Sequence, residues 1–184
     1  MRFFFNPRKA AQAAAYLAQL SGGSMSVLAL IKLLYLADRE ALIHRGFPIT
    51  GDRMVSMPHG PVLSQIYDQI KLGEEEGQPL PWYEYLTERD QNQVSLRPRV
   101  LVTDELSDFE RELLSKVHQE YSQLSPWQLR RLTHDLPEYQ DPKGSSLPIS
   151  PIDILREAGW SDEDVRGLAT EAEENYFLNA LIGA

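Results

Sequence analysis

Two histidines stand in contexts that could support acid–base chemistry. His59 lies in the corner Pro58-His59-Gly60-Pro61, where each proline pushes the residue before it toward extended backbone and the chain must turn. A general base needs a nucleophile or a paired carboxylate within hydrogen-bond reach, and none stands at a defining spacing from His59. We therefore expect a neutral imidazole that holds the turn by hydrogen bonding a neighbouring carbonyl group.

His134 raises the same question because Asp135 follows it directly. Adjacent side chains on a helix point in different directions, so this pair does not define an oriented acid–base couple. A core or capping role is the simpler interpretation of His134. A hydrolytic role would require the fold to bring His134 together with His59 and Asp52, and the sequence alone leaves that alternative open.

Metal and phosphate sites have little support in the sequence. The four histidines lack a short ligand spacing such as H-x-x-x-H and no cysteine is present, so we expect no metal and no cofactor. Gly51-Asp52-Arg53 could cradle a phosphate, but one glycine is more typical of a turn that leads into a strand. The stripe Asp38-Arg39-Glu40 is interpreted as the solvated face of a helix, spaced to pair with Lys32 and Tyr35.

Trp82, Tyr83 and Tyr85 are crowded into one short segment. Together with β-branched residues beyond the turn-prone Asp90-Gln91-Asn92, they favour a β-hairpin between residues 82 and 100. Three aromatic side chains exceed what a small sheet needs to cover one face. They therefore form either part of the core or a surface that contacts a partner.

The elements that must position these groups are mostly helices. Asn6-Pro7 supplies an N-cap and a first-turn proline for a helix over residues 7–20. The apolar run from Val27 to Ile43, which stops at Gly46, predicts a central buried helix. Gly60-Pro61 is expected to open a further helix that runs to about Lys71.

The second half of the chain carries equally local helix signals. Ser107 with Glu110 and Ser125 with Gln128 have the spacing of capping boxes, and further helices are expected after Ser150 and Ser161. Residues 54–57 are predicted to form a strand and residues 74–81 a linker. The prediction is a mainly α (α+β) fold, a single helical domain over residues 1–184 with a small antiparallel β-sheet or hairpin, a core at about 8–158 and a C-terminal helix at 161–182.

The charge balance limits the classes of partner. The chain has 27 acidic and 18 basic side chains and a formal net charge of −9, so its field repels phosphate backbones and attracts basic proteins. We expect no direct binding to nucleic acid. The apolar runs are too short or too interrupted for a signal sequence or a membrane span, and the absence of cysteine fits a reducing cytoplasm.

Several motifs occur together in one order along the chain. A K-L-L-Y-L-A helix is followed by a G-D segment, an H-G-P-V corner and a late L-x-x-x-T-H helix. In this combination the chain resembles, from about residue 8 to residue 158, the Panacea domain of SocA-like antitoxins. By this resemblance the motif positions are Lys32, Leu33, Tyr35, Asp52, His59, Gly60, Pro61, Tyr67, Thr133 and His134.

The resemblance implies a mainly helical fold and a protein that neutralises a co-encoded toxin. No catalytic activity is established for the family, so the resemblance supplies no catalytic residues. We expect a non-enzymatic, cytoplasmic binding protein. Its expected partner is a protein toxin with a basic surface. The positions that could contact it are Asp52, Arg53, His59, Tyr67, Trp82, Tyr83, Tyr85, Thr133 and His134. The alternatives are a small hydrolase or nucleotide-processing enzyme that uses His59, Asp52 and His134, and an adaptor that delivers a partner to a protease.

Overall fold

The chain folds into helices packed around one long central helix, with two small sheets at their margin. A computed structural model describes residues 1–73, 80–98 and 101–182. The described helices are α1 (Pro7–Leu20), α2 (Val27–Arg45), α3 (Ser64–Leu72), α4 (Pro81–Tyr85), α5 (Asp108–Tyr121), α6 (Pro126–His134), α7 (Pro151–Glu157) and α8 (Asp162–Ile182). The described strands are β1 (Ser24–Ser26), β2 (Met54–Met57), β3 (Gly60–Leu63), β4 (Gln93–Ser95) and β5 (Leu147–Pro148). The predicted mainly α class with a small antiparallel sheet is confirmed.

Local caps set the limits of the two helices that build the core. The Asn6 side chain accepts a hydrogen bond of 2.9 Å from the backbone N–H of Lys9, which fixes the start of α1. Ser26 caps α2 in the same way, and Gly46 ends it in the left-handed conformation that glycine adopts without a Cβ clash. Both predicted helices are confirmed. Most of the circumference of α2 is buried, so α2 is the central element.

The sheet beside the Pro58-His59 corner is larger than predicted. β2 pairs antiparallel with β3 on one side and with β5 on the other. The strand predicted over residues 54–57 is confirmed, but the helix predicted from Gly60-Pro61 begins only at Ser64. Residues 60–63 form a strand instead, because they pair with β2 and are buried against α2 and α6. These long-range contacts outweigh the local helix signal.

The aromatic segment is helical and belongs to the core. Pro81 begins α4, and Trp82, Tyr83 and Tyr85 are buried, with exposed fractions of 1%, 5% and 1%. The small alanine side chains of α1 leave room for these rings, and α1 and α4 are in contact. Tyr85 accepts a hydrogen bond of 3.2 Å from the Gln12 side chain. The expectation that these aromatics belong to a hairpin is wrong, and of the two roles left open for them the structure supports the core.

The turn predicted at Asp90-Gln91-Asn92 is confirmed. Gln91 and Asn92 have positive φ angles of 45° and 66°, and Asp90 forms a bridge with Gln93. β4 leads away from this turn and pairs with β1. Leu86, just after the aromatic segment, also forms an antiparallel bridge with Leu96, so the predicted hairpin is formed by the residues that follow the aromatics. The predicted linker falls mainly on residues 74–79, and the predicted end of the hairpin falls on residues 99–100. Both lie outside the described residues.

The later helices begin where the sequence predicts. Both capping boxes are formed, with Ser107 paired to Glu110 and Ser125 paired to Gln128. Ser150 caps α7, and the Ser161 hydroxyl accepts a hydrogen bond of 3.1 Å from the backbone N–H of Asp164 at the start of α8. In each case the donor and the acceptor lie within one helical turn, so these caps can be predicted from the spacing of residues in the sequence.

The burial of Trp82 leads to a stability prediction. Trp82→Ala should lower the free energy of unfolding by about 3–5 kcal/mol, because it leaves a cavity between α4 and α1. The matched control is Trp127→Ala, since Trp127 is 66% exposed and its removal should change stability by no more than about 0.5 kcal/mol. Urea unfolding measures both. Equal losses in the two variants would contradict the assignment of α4 to the core.

Candidate functional site

The corner is the two-residue turn of a β-hairpin. Pro58 and His59 connect β2 to β3, and Met57 pairs with Gly60 across the turn. Gly60 has a φ of +91°, which favours glycine, and a Cβ atom there would lie 2.8 Å from Lys32 Nζ. The same Cβ would lie 2.8 Å from a carbon of the His134 ring. Gly60 therefore lets α2, β3 and α6 meet at one point.

Lys32 is a cation buried at this meeting point. Its side chain is fully buried, and its ammonium group donates a hydrogen bond of 2.7 Å to the carbonyl oxygen of Pro61. Burial, together with the nearby Arg130 guanidinium, lowers the pKa of Lys32 to about 7. The predicted pairing of Lys32 with the stripe Asp38-Arg39-Glu40 is wrong, because the hydrogen-bond partner of Lys32 lies on β3.

Thr133 and His134 bring the end of α6 to the same place. The buried Thr133 hydroxyl donates to the Arg130 carbonyl at 3.0 Å. The His134 ring packs against Tyr139, with ring centroids 4.4 Å apart. Burial, with Arg130 and Lys32 nearby, lowers the pKa of His134. Among the described residues its Nε2 atom is buried without a hydrogen-bond partner, and a contact between His134 and a partner protein stays a prediction.

His59 does not hold the turn through its side chain. The residue is exposed at the tip of the hairpin, and its side chain makes no hydrogen bond within the described part of the chain. The carbonyl groups of the turn are instead held by Arg130, which donates to Pro58 at 3.3 Å, and by Tyr139, which donates to Met57 at 3.3 Å. The predicted structural imidazole is therefore wrong, and so is its expected position before a helix N-terminus.

Asp52 is occupied by backbone donors. One carboxylate oxygen accepts from the N–H groups of Arg53 and Gln65 at 2.6 and 3.1 Å, and the other accepts from Ile66 at 2.9 Å. This carboxylate satisfies free donors in the first turn of α3, where the residue before the helix, Leu63, has no capping side chain. Burial raises the pKa of Asp52, and the hydrogen bonds oppose that effect. Asp52 is a structural cap, and the phosphate cradle is not supported.

A second buried carboxylate extends this network into α2. Asp38 is almost fully buried and accepts hydrogen bonds from both the backbone N–H and the hydroxyl of Thr50, at 3.1 and 2.5 Å. The Thr50 hydroxyl in turn accepts from the backbone N–H of Asp52 at 3.1 Å. Burial raises the pKa of Asp38 to about 7. The prediction that Asp38 lies on the solvated face of α2 is therefore wrong.

A third polar contact was missed by the sequence analysis. Glu138, which follows α6, accepts a hydrogen bond of 2.8 Å from the Tyr35 hydroxyl and one of 2.7 Å from Arg39. The contacts join α2 to a segment about a hundred residues later. Only the helical spacing of Lys32, Tyr35 and Asp38 hinted that these polar residues share one side of α2.

Two exposed candidates and one partly buried candidate line a broad groove of about 1800 Å³ beside the β2–β3 hairpin. Arg53, His59 and Tyr67 lie on its wall, while Trp82, Tyr83 and Tyr85 do not line it. Lys32 and Asp52 reach it only from the buried side. The groove is the one place in the described structure where several predicted positions and open space coincide.

The geometry offers little for catalysis. No hydrogen bond joins the side chains of Asp52, His59 and His134 in the described ranges, so a base is not oriented toward a nucleophile there. No group of three histidine or carboxylate residues that could hold a metal ion is present among those same residues. None of the described helices is both long enough and apolar enough to cross a membrane.

The comparison with known families agrees with the resemblance. The family described as "Antitoxin SocA-like, Panacea domain" matches residues 30–140, from the middle of the first turn of α2 to the segment after α6. This is more than half of the chain, so the protein belongs to the SocA-like antitoxin family with a Panacea domain. No match was found among the curated proteins or among the solved structures.

The meeting point at Gly60 can be tested with a matched pair of glycines. Gly60 and Gly144 both have positive φ angles, of 91° and 94°, but a Cβ at Gly144 would meet nothing within 4 Å. Gly144→Ala should lower the free energy of unfolding by about 1 kcal/mol through backbone strain. Gly60→Ala should lower it by about 1–3 kcal/mol more, because it also displaces Lys32 and His134. Thermal and urea unfolding check this difference. Equal costs would mean that the close contact at Gly60 is unimportant.

The buried ammonium of Lys32 predicts a pH dependence of stability. Its pKa is about 7 in the folded protein against 10.5 when exposed, so between these values the unfolded chain binds more protons and wild-type stability gains as pH rises. Lys32→Met removes this gain. From about pH 8 to about pH 10 the unfolding free energy of the variant should fall by about 2 kcal/mol relative to wild type.

The control for this measurement is Asp38→Asn. The folded pKa of Asp38 is raised to about 7, so Asp38 contributes a loss of stability as pH rises from 3.8 to 7 and no slope above that range. The difference in unfolding free energy between Asp38→Asn and wild type should stay constant over the alkaline range used for Lys32→Met. A constant difference for Lys32→Met as well would show that Lys32 stays charged in the fold.

Proposed function

We propose that this protein is the antitoxin of a bacterial or phage toxin–antitoxin pair and that it neutralises a co-encoded protein toxin by binding it directly in the cytoplasm. The observation that carries the proposal is membership of the SocA-like antitoxin family over residues 30–140. Of the three residues that the hydrolase alternative uses, Asp52 is occupied by backbone donors, which favours neutralisation by contact.

The occupied motif residues weaken the hydrolase alternative. Asp52 is saturated by backbone donors and Lys32 is tied to the Pro61 carbonyl. A general base must reach the proton that it removes, and a carboxylate engaged in capping a helix is poorly placed to do so. Contact-based inhibition needs only surface complementarity, which exposed residues such as Arg53 and His59 can provide.

The charge of the chain supports a basic toxin. The formal net charge is −9, and α8 is especially acidic, with Arg166 as its one basic residue. Its acidic residues are Asp162, Glu163, Asp164, Glu171, Glu173 and Glu174. Acidic surfaces increase the rate at which basic partners associate and repel nucleic acid. Direct nucleic-acid binding is therefore not part of the proposal.

The stoichiometry of neutralisation tests the proposed function. The toxin candidate is the product of the reading frame adjacent to this one, and its toxicity is measured by growth arrest. If the protein acts by binding, the two chains should copurify, and toxin activity in vitro should fall to zero only near equimolar antitoxin. Loss of activity at a small fraction of equimolar protein would contradict occlusion and favour an enzyme.

His59→Ala separates the two mechanisms further. His59 is exposed, so the variant should fold normally and any loss of neutralisation should match its loss of toxin binding. In a hydrolase that uses His59 as a base, activity should fall by about a hundredfold or more while binding persists. A binding titration and the growth assay on the same preparation distinguish these outcomes.

A further inference from the structure

Among the described residues, the exposed charged side chains that line the groove beside the hairpin are mostly basic, opposite in sign to the net charge of the chain. The charged and exposed lining residues of the groove are Arg2, Arg53, Lys71 and Arg89 on the basic side and Asp68 on the acidic side. Arg2 is neutralised by Glu173 at 2.7 Å, but the other three cations have no acidic partner among the described residues. The chain is strongly acidic overall, so this local excess of positive charge marks a distinct surface.

Two of the groove cations are available for a ligand. The side chains of Arg53 and Lys71 are exposed and make no hydrogen bond or ion pair with any described residue, including Asp68 on the same helix as Lys71. Arg89 is hydrogen bonded to the neutral side chain of Asn92, which leaves its charge unbalanced. A ligand that brings carboxylates would pair with these groups without displacing an internal partner.

The wall of the groove is largely apolar and includes an exposed aromatic ring. Trp127 is 66% exposed at the start of α6 and lines the groove together with the partly buried Tyr67 and Met57. Exposed tryptophan beside arginine and tyrosine is the composition found in the centres of protein interfaces. The groove can therefore bury apolar side chains between the charged contacts.

We propose that this groove binds an extended acidic segment of the partner protein, with aspartate or glutamate side chains on Arg53 and Lys71 and an apolar side chain against Trp127. The inference rests on the proposed function, since that partner is the toxin. It adds the chemistry of one contact: the toxin's basic surface faces the acidic exterior of this chain, while an acidic segment of the toxin enters the groove.

A peptide segment suits this groove better than a nucleic acid does. An extended peptide advances about 3.3 Å per residue and can alternate charged and apolar side chains, which suits a groove lined by both cations and apolar residues. A polynucleotide carries a charge at every residue and would be repelled by the net charge of −9. Arg53, Lys71, Arg89 and Trp127 also lie within residues 30–140, whereas the acidic α8 lies outside that family match.

Charge reversal in the groove tests the proposal. Arg53→Glu combined with Lys71→Glu removes both free cations, and Lys116→Glu combined with Arg166→Glu changes the net charge equally at exposed positions outside the groove. Binding of the adjacent gene product is measured by titration calorimetry, with thermal melting as the check on folding. The groove variant should bind at least about tenfold more weakly, while the control binds like wild type.

A short peptide tests the groove independently of the toxin. The probe is a labelled peptide of about twelve residues that alternates glutamate with apolar residues and contains one phenylalanine, measured by fluorescence anisotropy at low salt. Wild type and the control variant should bind it, the groove variant should not, and added salt should weaken the complex. The same peptide with glutamine in place of glutamate should not bind.

The outcomes separate this inference from the proposed function. If wild type binds the toxin and the groove variant binds it equally well, the groove inference is overturned and the proposed function stands. Dependence of toxin binding on Glu171→Lys and Glu174→Lys alone would likewise place the contact on α8 and overturn it. If wild type does not bind the adjacent gene product, the proposed function fails, and the peptide titration alone then tests whether the groove binds an acidic segment. Binding of a single-stranded oligonucleotide in preference to the acidic peptide would also overturn the inference.

Discussion

Lys32 donates a hydrogen bond to the Pro61 carbonyl. This contact requires a glycine at position 60, because a Cβ atom there would lie 2.8 Å from Lys32 Nζ. An ammonium group removed from water is costly unless it is paired or loses its proton, and both responses are visible here in the hydrogen bond and the lowered pKa. The contact fixes the distance of the β-hairpin from α2, and Thr133 places the end of α6 against the same glycine. The position of the groove depends on this arrangement, because the hairpin forms part of its wall.

The other buried polar groups of α2 repeat this principle along one side of the helix. Asp38 is joined through Thr50 to the Asp52 cap of α3, and Tyr35 and Arg39 are joined to Glu138 beyond α6. Each group satisfies a donor or acceptor in a segment that would otherwise only rest against the helix. Directional contacts of this kind select one packing arrangement more strictly than apolar contacts do. The motif residues of α2 are accordingly explained by their contacts in the fold.

What could be predicted from the sequence depended on how far apart the interacting residues lie. The caps at Asn6, Ser107 and Ser125 were legible because each partner is three residues away. The hydrogen-bond partners of the polar residues of α2 could not be predicted, because they lie at positions 50, 61 and 138 and no local pattern connects them to the helix. Asp38 was placed in solvent for this reason. The strand at residues 60–63 and the buried aromatics of α4 were missed for the same reason. For the site, the residue types were predicted, but their division into buried and exposed groups required the fold.

That division also separates stability from recognition. Replacing a buried polar motif residue such as Lys32, Tyr35 or Asp52 by an apolar one leaves its hydrogen-bond partner unpaired, which is among the costliest single changes in a protein. Arg53, Lys71 and Trp127 make few internal contacts, so their replacement should leave the fold intact while altering the charge and shape offered to a partner. Net charge alone would have assigned one sign to the whole surface. Because the groove is basic on an acidic protein, the two signs can engage different parts of one partner, and such an arrangement discriminates against proteins that match only one of them.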